Sequence, residues 1–204
     1  MLANKPYIIG LTGGIGCGKS EAAKYLASLG AMHLDADAIS RSLTAENGAA
    51  LGEIRNVFGD SVFADDGSFD IKAMAEVVFS DPAARRKLEG IIHPLVQRSM
   101  LDGIDEAARQ GIKVVILDVP LLFETGMDAL CDECWTLQVD RQTQIERVME
   151  RDGAAREQAE ARIDSQMSME ERAARAARVI DTGRSIERTR GELSSLYNSV
   201  LKKL

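Results

Sequence analysis

The segment GGIGCGKS, residues 13–20, constrains this chain more than any other. It satisfies G-x-x-x-x-G-K-[ST], with Gly13, Gly18, Lys19 and Ser20 at the fixed places. The apolar run YIIGL, residues 7–11, precedes it, and EAAKYL, residues 21–26, follows. A strand that feeds a glycine-rich turn and then a helix is the context in which such a loop wraps a triphosphate. Glycines let the main chain approach phosphate oxygens with no Cβ in the way. Successive amides form an anion nest, and the positive end of the helix dipole adds to it. The expected nucleotide-binding residues are therefore Gly13, Gly14, Ile15, Gly16, Cys17, Gly18, Lys19 and Ser20. Lys19 is expected on the β- and γ-phosphates, and the Ser20 hydroxyl on Mg²⁺. Ala22, Ala23, Leu26 and Leu29 recur at helical spacing, and Gly30 closes that helix.

Short apolar runs at 7–11, 31–35, 114–119, 135–139 and 179–181 read as strands separated by helical stretches. That alternation predicts an α/β fold: a parallel five-stranded sheet with helices on both faces in three layers, joined by right-handed crossovers. The gap between the second and third strands is filled by helical patterns at 37–43, 49–58, 71–79, 82–92 and 94–110. Pro82 and Pro94 are read as first-turn residues of the last two. An all-helical insert in an α/β core suggests a substrate-binding part, although such helices also serve simply to cover a sheet. The expected division is a nucleotide-binding core at 1–37, 112–140 and 173–204, a helical subdomain at 38–111 and a lid at 141–172. In the lid, Ile145, Val148 and Met149 form an apolar stripe. Gln144, Arg147 and Arg151 lie on another face, where arginines serve either as solvated charge or as cations for a moving phosphoryl group.

Net charge is −7 over 204 residues, so no broad basic surface for nucleic acid is expected. No apolar run approaches the length of a membrane span. The first six residues run directly into the first strand, which argues against a leader peptide and for the cytoplasm. Three cysteines do not make a disulfide scaffold. Cys131 and Cys134 have C-x-x-C spacing, but there is no second pair, and His33 and His93 are distant in sequence. The pair also lacks a strand-to-helix entry, so both read as ordinary thiols. Cys17 would be an oxidation liability if exposed.

Three further places carry chemistry. Asp35-Ala36-Asp37 closes the second strand, where open α/β sheets border their ligand crevice. Two aspartates two apart in an extended strand face the same way and suit one metal or one proton-transfer task; either also suits a helix cap. The run VVILD, residues 114–118, ends on Asp118 like a Walker B strand and suggests a residue that orients magnesium. His93, placed by Pro94 at a helix start, is kept neutral by the dipole and either caps the helix or meets a ligand.

Taken together, several strings resemble the dephospho-coenzyme A kinase family. They are GLTGGIGCGKS at 10–20, DADAISR at 35–41, IIHPLV at 91–96, DVPLLFE at 118–124, QIERVMERDG at 144–153, RIDSQMSMEER at 162–172 and VID at 179–181. The loop alone is common to many proteins; the ordered set is far more specific. The resemblance implies a P-loop kinase that transfers the γ-phosphoryl group of ATP, with Mg²⁺, to the ribose 3′-hydroxyl of dephospho-coenzyme A. It implies Lys19, Asp37, Arg147 and Arg151 as catalytic residues, with Asp37 as the base. Asp35, Arg41, His93, Leu121 and Glu124 fall on the acceptor side, and Ser20 on the metal. A monomer with no nucleic-acid or membrane partner is expected. Cys17 and Glu21 stand where serine and threonine are usual, and Thr182 where asparagine often follows VID.

Two other readings follow from the loop. A nucleoside monophosphate or other small-metabolite kinase has the same architecture, because acceptor choice lives in the helical insert. A nucleotide switch would need N-K-x-D and D-x-x-G motifs. Asn4-Lys5-Pro6-Tyr7 has the wrong last residue and lies upstream of the loop.

Overall fold

A computed structural model describes residues 5–204. Residues 1–4, which carry most of the leader-peptide argument and Asn4, lie outside the described residues. The strands are β1 Tyr7–Gly13, β2 Met32–Asp35, β3 Val114–Asp118, β4 Glu133–Gln138 and β5 Arg178–Asp181. They form one parallel sheet in the order β2-β3-β1-β4-β5. The helices are α1 Lys19–Ser28, α2 Ala36–Leu43, α3 Leu51–Phe58, α4 Ile71–Ser80, α5 Pro82–Arg109, α6 Arg141–Asp152, α7 Arg156–Asp164, α8 Met169–Arg175 and α9 Ile186–Leu201.

Period-two alternation divides the sheet residues between two faces. Ile9 and Leu11 of β1, Val114 and Ile116 of β3, and Trp135 and Leu137 of β4 share one face. They pack there with Ala22, Ala23 and Leu26 of α1 and with Leu193, Tyr197 and Val200 of α9. Each fully buried aliphatic side chain contributes about 1.5–3 kcal/mol relative to exposure, so this layer anchors the loop that β1 feeds. Both faces of β3 are buried, as an interior parallel strand requires.

The described chain through Asp35, with Ile104–Leu204, forms one compact unit, and Ala36–Gly103 forms a second. The second is helical apart from an isolated bridge between Phe63 and Phe69. Those rings meet edge-to-face at 5.7 Å, and the Arg55 guanidinium lies 3.9 Å from the Phe63 centroid. Ile54, Val62 and Met74 are buried. Asp70 caps α4, its carboxylate accepting from the Lys72 and Ala73 amides.

Two local expectations are corrected. The patterns at 82–92 and 94–110 are one helix, α5, with Pro94 inside it. An interior proline removes one hydrogen bond and costs about 3 kcal/mol. Val96, Met100, Ile104 and Ala107 form a buried stripe after it, and their burial offsets that cost. His93 is therefore mid-helix and exposed, and the dipole argument for its neutral form does not apply. Similarly, Asp35 ends β2 whereas Asp37 belongs to the first turn of α2. The two aspartates do not share one face of an extended strand.

Candidate active site

The loop between β1 and α1 takes its shape from two glycines. Gly16 and Gly18 have φ of +80° and +77°, a region L side chains rarely adopt, and Gly18 is the left-handed cap of α1. The first-turn amides of α1, including those of Lys19 and Ser20, have no carbonyl within the helix to bond and face an incoming anion.

Distant side chains brace the loop. The Ile15 amide donates to Gln166 Oε1 at 2.8 Å, and Gln144 Nε2 donates to the Ile15 carbonyl at 2.7 Å. Arg147 donates to the Gly16 carbonyl at 3.3 Å and to the Thr182 carbonyl at 3.0 Å. The Thr182 hydroxyl lies 3.0 Å from the Cys17 carbonyl, to which it donates. Cys17 is buried rather than exposed, so it is no oxidation liability; burial pushes its thiol pKa up, against the charge of Arg172.

Lys19 donates to Asp118 at the end of β3, a residue only 2% exposed. His33 Nε2 lies 3.1 Å from the other oxygen of that carboxylate. Burial works to raise the Asp118 carboxyl pKa, but the His33 hydrogen bond and the Lys19 charge outweigh it and hold the group low. Asp35 stands beside Asp118 in the parallel register. One donor atom from each of His33, Asp35 and Asp118 lies within 4.8 Å of the others.

Arg172 is the residue that motif reasoning left without a role. It is 5% exposed, its Nε has no partner, and among the described residues no carboxylate pairs with it. Its Nη1 lies 3.1 Å, and the Gln144 Nε2 2.8 Å, from where a Cβ on Gly14 would stand, so a side chain there would displace both groups from the loop. A buried cation without a counter-charge is costly unless an anion arrives. Its membership of RIDSQMSMEER was the one hint in the sequence. A cavity of about 240 Å³ beside the loop is lined in part by Cys17, Gln144, Gln166, Ser168 and Arg172. A second, of about 310 Å³, is lined in part by Gly18, Tyr25, Arg147, Thr182, Ile186 and Arg190, a mixed apolar and cationic wall.

The remaining expected residues are spread out. Arg151 forms a two-point ion pair with Asp152 at 2.7 and 2.9 Å and is exposed, unlike Arg147. Leu121 and Glu124 are exposed in the segment after β3, where Leu122 and Phe123 are buried. Asp37, Arg41 and His93 belong to the second compact unit and are exposed there.

Against known families, the dephospho-CoA kinase profile matches residues 7–187. The chain belongs to that family. A dephospho-CoA kinase of Symbiobacterium thermophilum is 43% identical over 192 residues, 94% of this chain and 80% of that protein. One from Geobacter sulfurreducens is 40% identical, over 93% of this chain and 96% of that protein. Among solved structures, a Thermus thermophilus protein superposes with a TM-score of 0.81 at 36% identity, covering 98% of this chain and 99% of that one. Dephospho-CoA kinase from Campylobacter jejuni gives 0.72 at 27% identity, covering 96% and 98%. Shikimate kinase from Acinetobacter baumannii, at 0.52 and 16% identity over 99% of this chain and 96% of that one, shares the fold alone. The parallel α/β fold expected from the strand pattern, and the P-loop kinase fold that the resemblance implies, are the fold found.

Proposed function

We propose that this kinase transfers the γ-phosphoryl group of ATP to the ribose 3′-hydroxyl of dephospho-coenzyme A, the last step of coenzyme A synthesis. The observation that carries the reading is the family match across residues 7–187, which spans the phosphate loop, the insert and the lid segment together. The nucleotide is held by residues 13–20, with Lys19 exchanging Asp118 for the β- and γ-phosphates. The Ser20 hydroxyl and the carboxylates of Asp35 and Asp118 are hard oxygen donors, the class that Mg²⁺ takes. A Mg²⁺ ion held by these groups would neutralise charge on the phosphate oxygens.

Asp37 accepts the proton of the attacking hydroxyl and orients it for in-line attack. Arg147, which already holds Gly16, and Arg172, buried against Gly14, neutralise the phosphate chain. Arg151 joins them by exchanging Asp152 for phosphate. Asp35, Arg41, His93, Leu121 and Glu124 serve the acceptor side. Net charge of −7 supports a protein that binds no nucleic acid, and no helix among the described residues is long and apolar enough to cross a membrane. A cytoplasmic monomer completes the reading.

The test is ADP release with ATP, Mg²⁺ and dephospho-coenzyme A, with the product identified by mass. Coenzyme A is the expected product. Turnover with a nucleoside monophosphate and none with dephospho-coenzyme A overturns the acceptor; nucleotide hydrolysis that no acceptor stimulates overturns the kinase reading altogether.

A further inference from the structure

Two thiols meet on the sheet face away from α1 and α9. Ile9 and Leu11 point toward those helices, so Gly10 between them faces the other way. Gly10 stands beside Cys134 in the parallel pairing of β1 with β4, which directs the Cys134 side chain to that same face. Cys131, leaving the short helical turn Met127–Leu130, places its Sγ 2.7 Å from where a Cβ on Gly10 would be. The space that Gly10 leaves empty is thus occupied by sulfur.

The chain between the cysteines is pinned. Asp132 accepts from the Ile8 amide at 2.8 Å and donates its own amide to the Ile8 carbonyl at 2.8 Å. Both cysteines are partly exposed. The Cys131 thiol donates to the Met127 carbonyl at 3.6 Å. The neighbouring Cys131 thiol favours the Cys134 thiolate, and the charge of Arg175 adds to this, against burial and the charge of Asp128. The neighbouring Cys134 thiol and burial push the Cys131 thiol up. Arg175 is itself fixed, 3.2 Å from Asp128 and with its guanidinium 4.5 Å from the Phe123 ring centroid. In sequence, the lack of a second pair and of a strand-to-helix entry argues for ordinary thiols. The tertiary fold instead brings both side chains to Gly10, so that each thiol has the other as a neighbour.

We propose that Cys131 and Cys134 form a redox-active dithiol that exchanges with low-molecular-weight disulfides, Cys134 attacking and Cys131 resolving. The Cys134 thiolate attacks one sulfur of the small disulfide, whose S–S bond breaks and releases one thiolate. Cys131 then gives its proton to water and attacks the Cys134 sulfur, expelling the second thiolate. The protein dithiol is oxidised by two electrons, and the small disulfide is reduced to two thiols.

The experiment treats the folded protein with glutathione disulfide, caps free thiols by alkylation and locates the modified cysteines by peptide mass spectrometry. Wild type should gain a Cys131–Cys134 disulfide that dithiothreitol reverses, with Cys17 left free. Cys131→Ser should stop at a stable glutathione adduct on Cys134. Cys134→Ser should acquire its adduct on Cys131 about tenfold more slowly. Equal adduct rates in the two variants, or no intramolecular disulfide in wild type, overturn the proposal. A second readout needs no substitution: limiting iodoacetamide on the reduced wild type should label Cys134 before Cys131, and the reverse order also overturns it. Neither readout depends on phosphoryl transfer.

Discussion

The phosphate loop and the helical unit at Ala36–Gly103 build their candidate sites in opposite ways. Around the loop, each key side chain is held by partners far away in sequence. Gln166 holds Ile15, Arg147 ties Gly16 to Thr182, and Lys19 is locked to a buried Asp118 that His33 also touches. In the helical unit, Asp37, Arg41 and His93 are exposed on helices whose buried residues, such as Leu43 and Val96, are apolar. The loop is pre-organised: its geometry exists before a ligand arrives, so ordering it on binding costs little. Asp37, Arg41 and His93, by contrast, are exposed. If they serve the acceptor as proposed, its recognition should respond to single side chains, whereas nucleotide binding should respond to the packing around the loop.

The sharpest way to break this contrast is Asp37→Asn. If Asp37 acts only in chemistry, kcat should fall by about 10²–10⁴, with the KM for ATP and the melting temperature unchanged; steady-state kinetics with a thermal melt decide it. Near-wild-type turnover removes Asp37 as the base.

Arg172→Met probes the other side. If Arg172 is held ready for phosphate, kcat/KM for ATP should drop by roughly 10²–10³. The folded protein should lose little stability, because the hydrogen bond to the Met167 carbonyl is given up while a buried charge without a counter-charge is replaced by an apolar side chain. Lost stability at unchanged activity would make Arg172 a purely structural residue.

Asp118→Asn should cost about 3 kcal/mol of unfolding free energy near neutral pH, since it leaves Lys19 unpaired in a largely buried place. Its pH dependence follows from the lowered carboxyl pKa. A depressed folded pKa contributes stability that is fully present above the unfolded value of about 3.9 and is lost as pH falls through the lower folded value. Denaturant titrations of wild type and variant should therefore differ by a constant amount from neutral pH down to about pH 5 and converge in stronger acid. A difference that persists unchanged in strong acid contradicts the ion-pair account. The smallest effect belongs to Gln166→Ala, which removes one acceptor from the Ile15 amide. A loss of about 1 kcal/mol of stability and a modest rise in the KM for ATP are expected from the same two measurements.

The parts of the fold that were legible in sequence are those with local causes. Residues 7–30 write a strand, a turn and a helix through contacts within a short stretch, and β3 is a continuous apolar run ending on Asp118. The five strands follow from the same patterning. Pro94 misled because a proline before apolar helical spacing reads as a helix start; the buried stripe that follows it keeps α5 continuous. The strand run to 35 and the helical pattern from 37 both mark the change of structure at Asp35, and only the backbone shows that it separates the faces of Asp35 and Asp37.

By itself, then, the sequence determined that this chain carries a triphosphate loop on a parallel α/β sheet and that its ordered motifs belong to one kinase family. Those are properties of short segments, whose hydrogen bonding and periodicity are set by near neighbours. Only the tertiary structure decided that Arg147 is tied to the loop while Arg151 is held by Asp152, that Arg172 is buried against Gly14, and that Cys131 fills the space left by Gly10. Apart from the adjacent Arg151 and Asp152, each of these joins residues from separate segments, and periodicity along the chain carries no information about which distant side chain will occupy a given gap.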